Sequence, residues 1–250
     1  MVGPAIGVPG VSCAAPWPGI DFEPASDYWV SMRSPEELST FIEAHTALKA
    51  PPALPEVKLH IAVAITPLWQ ASERFLEGME VARPYWAFAW AGGQGLARHL
   101  IENKWLVRGR RVLDFMAGSG IAGIAAAVAG AGHVEAYESD PLARAAIALN
   151  ARSNQVEVEV TSSYLVATDA VASWEVVLVG DVGYEPAVAE KCLPWLRSLA
   201  AKGALVLMAD PGGAFSDMKG LVRLGEYEVP TSFDPDDPST RETTIFRIAA

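Results

Sequence analysis

The sequence contains few cysteines and few histidines. Two cysteines, Cys13 and Cys192, stand far apart among 250 residues, so they predict neither a disulfide framework nor a metal site. Sparse cysteine of this kind is typical of a reducing compartment. The four histidines show no metal-ligand spacing, and none is paired with a nearby glutamate in a zinc motif. We therefore expect no metal in this protein.

Basic residues are also scarce. Nineteen lysines and arginines stand against 30 aspartates and glutamates, which leaves a formal net charge of −11. That charge would repel phosphates and anionic lipid headgroups, so we expect neither nucleic acid nor a membrane surface as a partner. A cationic partner, such as a lysine-bearing protein, is compatible with the charge, but an acidic surface that only serves solubility explains it equally well.

The sequence has no apolar run of 18 residues, so no membrane-spanning helix is expected. Residues 1–20 contain four prolines and four glycines but no lysine or arginine, unlike a secretory signal or a transit peptide. We predict a flexible tail over residues 1–33 and a cytoplasmic location. Hydrophobic residues make up 51% of the chain, which is ample for a buried core.

A helix start follows the tail. Ser34 is the expected N-cap, Pro35 the first helical residue and Glu37 the partner in a capping box. The pattern predicts a helix to about Leu48, a short strand over residues 57–62 and a second helix over 66–76. Residues 34–82 are therefore predicted to form a small N-terminal cap ahead of the main domain, 83–250.

From Arg110 onward, strand and helix patterns alternate. Strands are predicted over residues 111–115, 133–137, 156–161, 174–179 and 204–208, and helices over 121–129, 141–153, 166–172 and 186–200. The final part predicts a helix over 214–222 and then two strands, 226–229 and 243–248, joined by a loop. This order indicates an α/β fold with a mostly parallel sheet, helices on both faces and an antiparallel pair at one edge.

The first predicted strand leads into a glycine turn. Asp114 lies near the end of that strand, the turn spans residues 116–120, and Glu138 follows the next strand. Such a unit binds nucleotides, because glycines let the backbone approach the ligand and the second acid takes ribose hydroxyls. The glycine spacing departs from the dinucleotide pattern, and Asp114 suits a cation such as S-adenosylmethionine. From the spacing alone, a methyltransferase, a nicotinamide dehydrogenase and a plain turn without a ligand remain open.

A second group of polar side chains follows the later strands. Asp181 and Tyr184 come after the strand at 174–179, which should lie beside the strand at 111–115 where the strand order reverses. There Asp181 would attract and orient an amine, and Tyr184 would line the channel; the alternative for Asp181 is an N-cap of the helix over 186–200. Asp210 would frame the substrate entrance or cap a Pro-Gly turn.

An aromatic segment precedes the first strand of the main sheet. Residues 84–90 are rich in rings and are followed by small residues, a composition that suits a loop lining a ligand pocket. A helix is then predicted from Gln94 to about Asn103. Simple core packing is the alternative for these rings.

Together these segments resemble the seven-strand class I methyltransferases, in particular the branch of lysine methyltransferases that act on the β subunit of electron-transfer flavoprotein and their bacterial relatives. The resemblance spans about residues 35–250. It depends on the order and spacing of short segments at residues 41–42, 50–52, 67–69, 85–90, 114–120, 181–184, 210–212 and 241–244. Four positions depart from the family pattern: Ala91, Met116, Gly183 and Gly213.

The resemblance implies S-adenosylmethionine as methyl donor, S-adenosylhomocysteine as product and the Nε atom of a protein lysine as acceptor, with electron-transfer flavoprotein β subunit as partner. The cofactor would be held by Trp86, Trp90, Asp114, Ala117, Gly118, Gly120, Glu138, Ser139 and Asp181. Asp181 and Tyr184 would be catalytic, and Asp181, Tyr184 and Asp210 would contact substrate. A small-molecule N-methyltransferase on the same fold is the alternative, and a non-enzymatic relative is the last possibility.

Overall fold

The computed structural model describes residues 34–62, 68, 84–162, 174–181, 186–231 and 239–249. Within these ranges the helices are α1 (Pro35–His45), α2 (Ala91–Glu102), α3 (Ile121–Val128), α4 (Pro141–Ser153) and α5 (Pro186–Ala201). The strands are β1 (Ala47–Lys49), β2 (Leu59–Ile61), β3 (Arg111–Phe115), β4 (His133–Tyr137), β5 (Glu159–Thr161), β6 (Val176–Val179), β7 (Leu205–Pro211), β8 (Leu221–Pro230) and β9 (Thr240–Ile248).

Seven of these strands form one sheet in the order β5-β4-β3-β6-β7-β9-β8. Strands β3 to β7 pair in parallel, whereas β9 is antiparallel to both β7 and β8. The predicted α/β fold, with its mostly parallel sheet and antiparallel edge pair, is therefore confirmed. The two short strands β1 and β2 form a separate antiparallel pair.

The chain fills the sheet outward from its centre. It runs from β3 to β4 and β5 on one side, and then returns to place β6 on the other side of β3, with Asp114 opposite Leu178. At this reversal of strand order the connections leave the sheet in opposite directions, which opens a crevice at the carboxyl ends of β3 and β6. The predicted reversal of strand order between these two strands is confirmed.

Both faces of the sheet are covered by helices. Side chains of β3, β6 and β7 alternate between the two faces, because successive strand residues point in opposite directions. Leu113, Val177 and Met208 pack in one cluster with Leu196 of α5. On the opposite face, Val112, Leu178 and Leu207 pack in a second cluster with Leu96 and Leu100 of α2 and with Ala122 and Ala126 of α3.

The N-terminal segment packs against α4. Ser34 is the N-cap of α1 and forms the predicted capping box with Glu37. Helix α1 ends at His45 rather than Leu48, because the chain becomes extended and β1 pairs with β2 from Ala47 onward. Phe41 and Ile42 pack in a cluster with Leu142 of α4. The predicted tail 1–33, most of the helix over 66–76 and the whole helix over 166–172 lie outside the described residues.

The structure also differs from the sequence predictions after β7 and at the start of α2. The segment 214–222 is not a helix: turns occupy it, Gly212, Gly213 and Gly220 have positive φ, and β8 begins at Leu221. Backbone of that conformation interrupts a helix. Helix α2 begins at Ala91 rather than Gln94, so Gly92 and Gly93 are helical. Among the described helices, none has the length and apolar character that crossing a bilayer requires.

Candidate active site

Asp114 is buried under the amino end of α3. The residue is only 2% exposed, and its Oδ2 accepts a hydrogen bond from the backbone N–H of Gly123 at 2.7 Å. A β-carbon on Gly123 would lie 2.9 Å from that oxygen, so the contact requires glycine. Burial is the main cause that raises the pKa of Asp114 to about 7; the hydrogen bond from Gly123 opposes this shift and the nearby Glu138 charge adds to it.

The turn after β3 is left-handed at three positions. Met116 has φ of 56°, Gly118 54° and Gly120 78°. Only glycine adopts such φ values without a steric cost, so Met116 carries backbone strain at the position where the resemblance expected a glycine. A β-carbon on Gly118 would meet no atom within 4 Å, which leaves open space above the turn for a ligand.

Glu138 closes the turn from the end of β4. Its Oε2 accepts the N–H of Gly118 at 2.8 Å, and its Oε1 accepts those of Ser139 at 2.8 Å and Asp140 at 3.1 Å. These bonds fix the carboxylate beside the glycine turn while the residue remains partly exposed. Each carboxylate oxygen has two acceptor sites, so Oε1 is fully used and Glu138 retains one site, at Oε2, for a ligand hydroxyl.

Asp181 follows β6 and binds the amino end of α2. Its Oδ1 accepts the N–H of Gly92 at 3.0 Å and its Oδ2 that of Gly93 at 2.7 Å. Burial raises the pKa of Asp181 to about 6, whereas the two hydrogen bonds and the positive charge of Arg241 lower it. Among the described residues, the Asp181 carboxylate therefore caps α2, a helix much earlier in the chain.

The two carboxylates bring two helix ends together. Asp114 binds the third residue of α3, and Asp181 binds the second and third residues of α2. The helices touch at this end, since a β-carbon on Gly93 would lie 2.7 Å from Cγ2 of Ile121. Two positive helix ends and two acidic side chains thus meet at the carboxyl edge of β3 and β6.

The predicted tryptophans occupy different environments. Trp86 is 2% exposed in the cluster between α1 and α4, and its Nε1 has no partner among the described residues. Trp90 is the N-cap of α2 and is partly exposed, and its Nε1 donates to the carbonyl of Tyr85 at 2.7 Å. Trp90 therefore lies two positions before Gly92, the first glycine that binds Asp181. Ser139 is exposed beside Glu138.

Asp210 lies apart from these groups. It is 1% exposed, and its Oδ2 accepts the N–H of Phe215 at 2.8 Å. By strand alternation its side chain lies on the face of β7 covered by α5, opposite the face of Asp114. The structure therefore does not bring Asp210 together with Asp114. Tyr184 lies outside the described residues.

Sequence reasoning missed two contributors to the site. The backbone N–H groups of Gly92 and Gly93 hold Asp181, and two consecutive glycines before a helical pattern were the available signal. The second is Arg241, whose charge acts on Asp181 from the start of β9. No local pattern around Arg241 indicated this long-range effect.

The raised pKa of Asp114 predicts a pH-dependent stability. The native carboxyl, with a pKa of about 7, retains its proton more strongly than the unfolded one, with an ordinary value of 3.8, so its contribution to stability is largest below pH 4 and is lost as pH rises towards 7. The Asp114→Asn side chain has no titrating proton, so the variant does not lose stability through this ionisation as pH rises. Between pH 5 and 8, the variant should gain about 2–3 kcal/mol of unfolding free energy relative to wild type. Urea unfolding of both proteins at pH 5 and at pH 8 measures the difference in unfolding free energy between variant and wild type. If that difference were the same at both pH values, the buried ionisation of Asp114 would be contradicted.

Several known proteins are similar to this chain. The family described as ribosomal protein L11 methyltransferase (PrmA) matches residues 99–180, which include β3, the glycine turn and β4. The electron transfer flavoprotein beta subunit lysine methyltransferase of Xenopus laevis is 33% identical over 83% of this chain and 85% of its own. The human protein of the same name is 32% identical over 84% and 81%. The solved ribosomal protein L11 methylase of Lactobacillus delbrueckii has 18% identity and a TM-score of 0.46 over 65% of this chain and 81% of its own.

The fold, the glycine turn and these relatives define a class: this protein is an S-adenosylmethionine-dependent methyltransferase. Within that class, the chain belongs to the family of the electron transfer flavoprotein beta subunit lysine methyltransferases. The site's chemistry fits the cofactor, because Glu138 offers an acceptor for a hydroxyl and Gly118 leaves open space beside it. Within the described ranges, no group of three or more His, Cys, Asp or Glu side chains is placed to hold a metal ion.

Proposed function

We propose that this protein is a lysine Nε-methyltransferase whose acceptor is the β subunit of electron-transfer flavoprotein. The observation that carries the proposal is the Asp181 carboxylate, fixed by two N–H groups of α2 at the carboxyl edge of the sheet and partly exposed there. The names of relatives that align with most of the chain support this acceptor. A cytoplasmic location, and a division into a cap over 34–82 and a catalytic domain over 83–250, stay predictions.

The cofactor side of the site is assigned to the βαβ unit. In this proposal Oε2 of Glu138 accepts a hydrogen bond from a ribose hydroxyl, and Ala117, Gly118 and Gly120 bring the backbone close. Asp114, in its ionised form, favours a positively charged ligand. Trp86, Trp90 and Ser139 complete the surroundings of the cofactor. When bound, S-adenosylmethionine supplies an electrophilic methyl group on a sulfonium sulfur and leaves as S-adenosylhomocysteine.

In this proposal Asp181 binds the lysine amine that accepts the methyl group. A lysine must lose its ammonium proton before its nitrogen has a lone pair to donate, and the proton passes to water in this scheme. The ionised Asp181 then accepts a hydrogen bond from the neutral amine and directs the lone pair towards the methyl carbon. Because both carboxylate oxygens are already held by α2, the orientation is set before substrate arrives. Tyr184 and Asp210 remain proposed substrate contacts.

Transfer of labelled methyl groups tests the proposal. Purified electron-transfer flavoprotein β subunit, a cell lysate and a set of free amines are each incubated with the enzyme and labelled donor, and the products are located by mass spectrometry. We expect label on lysine Nε of the β subunit. Label on free amines alone would favour the small-molecule N-methyltransferase, and label on arginine would contradict the lysine acceptor.

Asp181→Asn separates chemistry from cofactor binding in the same assay. The amide cannot accept from both glycine N–H groups, so the amine is oriented less well and kcat should fall about 100-fold. The Kd for S-adenosylhomocysteine, measured by calorimetric titration, should stay within a few-fold of the wild-type value. Full methyl transfer by this variant would remove the role assigned to Asp181.

A further inference from the structure

A second cavity lies at the opposite edge of the sheet from the methyl-transfer site. It has a volume of about 410 Å³ and opens beside the amino ends of β3, β6 and β7. Arg110 and Arg111 line it at the start of β3, Trp174 and Glu175 precede β6, and Lys202 follows α5. Its volume lies within the range of small-molecule sites.

The cavity is basic in an acidic protein. Three of its lining side chains are cations and one, Glu175, is an anion, although the chain as a whole has a net charge of −11. Among the described residues, Arg110, Arg111 and Lys202 form no ion pair. Glu175 is held by the backbone instead, because its Oε2 accepts the N–H of Arg111 at 3.1 Å. The cationic groups are therefore available to a ligand.

Recognition in this cavity would depend on side chains. The lining backbone N–H groups already donate to protein acceptors, namely those of Arg110, Arg111, Glu175, Gly203, Ala204 and Leu205. Side chains are therefore the groups left to recognise a ligand, and the lining residues carry two guanidinium groups and one ammonium group. Guanidinium groups pair in a bidentate manner with phosphate and carboxylate, so the lining selects a multivalent oxyanion over a neutral polar molecule.

Helix dipoles do not account for all of this charge. Lys202 directly follows the carboxyl end of α5, where the helix dipole is equivalent to about half a negative charge and stabilises a cation. Arg110 and Arg111, however, lie at the beginning of a strand. Because the lining remains net positive after Glu175 is counted, its charge exceeds what one helix end neutralises.

We propose that this cavity is a binding site for a small oxyanion that carries at least two negative charges on phosphate or carboxylate oxygens. The guanidinium groups of Arg110 and Arg111 and the ammonium group of Lys202 hold the anion. The site is independent of the methyltransferase site, because the two lie at opposite edges of the parallel strands.

Calorimetric titration of the full chain with pyrophosphate, and separately with citrate, tests the proposal at constant ionic strength. We expect saturable binding of at least one anion, and the one that binds identifies the oxygen chemistry. Arg111→Gln and Lys202→Gln should each weaken binding about tenfold, as expected for loss of a charged hydrogen bond. Both side chains are exposed, so neither change disturbs the core.

Arg152→Gln is the matched control. Arg152 is an exposed cation in the last turn of α4 and does not line the cavity, so this variant removes the same charge from a helix end. It should bind the anion as wild type does, and all variants should bind S-adenosylhomocysteine normally. Absence of saturable binding for both anions, or equal weakening by Arg152→Gln and the two cavity variants, would overturn the proposal.

Discussion

Replacing Gly92 with alanine is expected to destabilise the protein and to suppress methyl transfer. The new β-carbon would lie 2.5 Å from Oδ1 of Asp181 and 2.5 Å from the carbonyl oxygen of Gly180, and the latter belongs to the backbone and cannot rotate away. Overpacking and loss of charged hydrogen bonds should lower the unfolding free energy by about 3 kcal/mol or more. That corresponds to a Tm lower by about 6–12 °C. A shift of α2 by about 1 Å should slow methyl transfer about 100-fold.

Gly180→Ala is the control for this prediction, because it adds the same atom across the same contact. Its β-carbon would lie 3.5 Å from Cα of Gly93, an ordinary van der Waals distance, and Gly180 is not among the positive-φ residues. We expect stability within about 1 kcal/mol of wild type. Helix propensity alone favours alanine at position 92 by about 1 kcal/mol, so a lower unfolding free energy of Gly92→Ala must come from the close contact with Asp181 and Gly180. Equal Tm values for the two variants would contradict the close approach.

Glu138→Gln is expected to weaken cofactor binding about 10- to 100-fold. The carboxylate is the proposed acceptor for a ribose hydroxyl, and a hydrogen bond to a charged group contributes about 1.5–3 kcal/mol. S-adenosylmethionine and S-adenosylhomocysteine share the ribose, so both affinities should fall by the same factor. Calorimetric titration with each ligand measures the two affinities.

Glu135→Gln provides the comparison from the same strand. Its Oε2 accepts the Nε1–H of Trp174 at 2.7 Å, and an amide oxygen retains that bond. The variant should bind both ligands as wild type does. If Glu135→Gln weakened binding as much as Glu138→Gln, or if Glu138→Gln left it unchanged, Glu138 would not be the ribose acceptor.

Much of the fold was predictable because its strongest signals are local. The predicted bounds of β3, β4 and α4 agree with the structure, since each has an apolar pattern bounded by turn or capping residues. The capping box at Ser34 involves residues only three positions apart. The helix predicted over 214–222 is wrong because Gly212 and Gly213, directly before the segment, and Gly220, within it, have positive φ, which favours turns.

The candidate site was predictable only in part. Asp114, Gly118 and Glu138 belong to one βαβ unit, so their spacing along the chain places them together. Asp181 was identified at the right strand end, but its partners were not. Gly92 is 89 positions away, and no local pattern encodes a contact at that separation.

The sequence by itself determined the succession of strands in the seven-stranded sheet, the glycine turn and the acids at the strand ends, because these depend on periodicity and on the φ angles that neighbouring residues permit. Only the tertiary structure decided that Asp181 caps α2, that Asp210 lies on the opposite face from Asp114, and that three cations line one cavity. The reason is physical: strand pairing and helix packing join residues far apart in the chain, and burial at those junctions sets which carboxyls retain their protons.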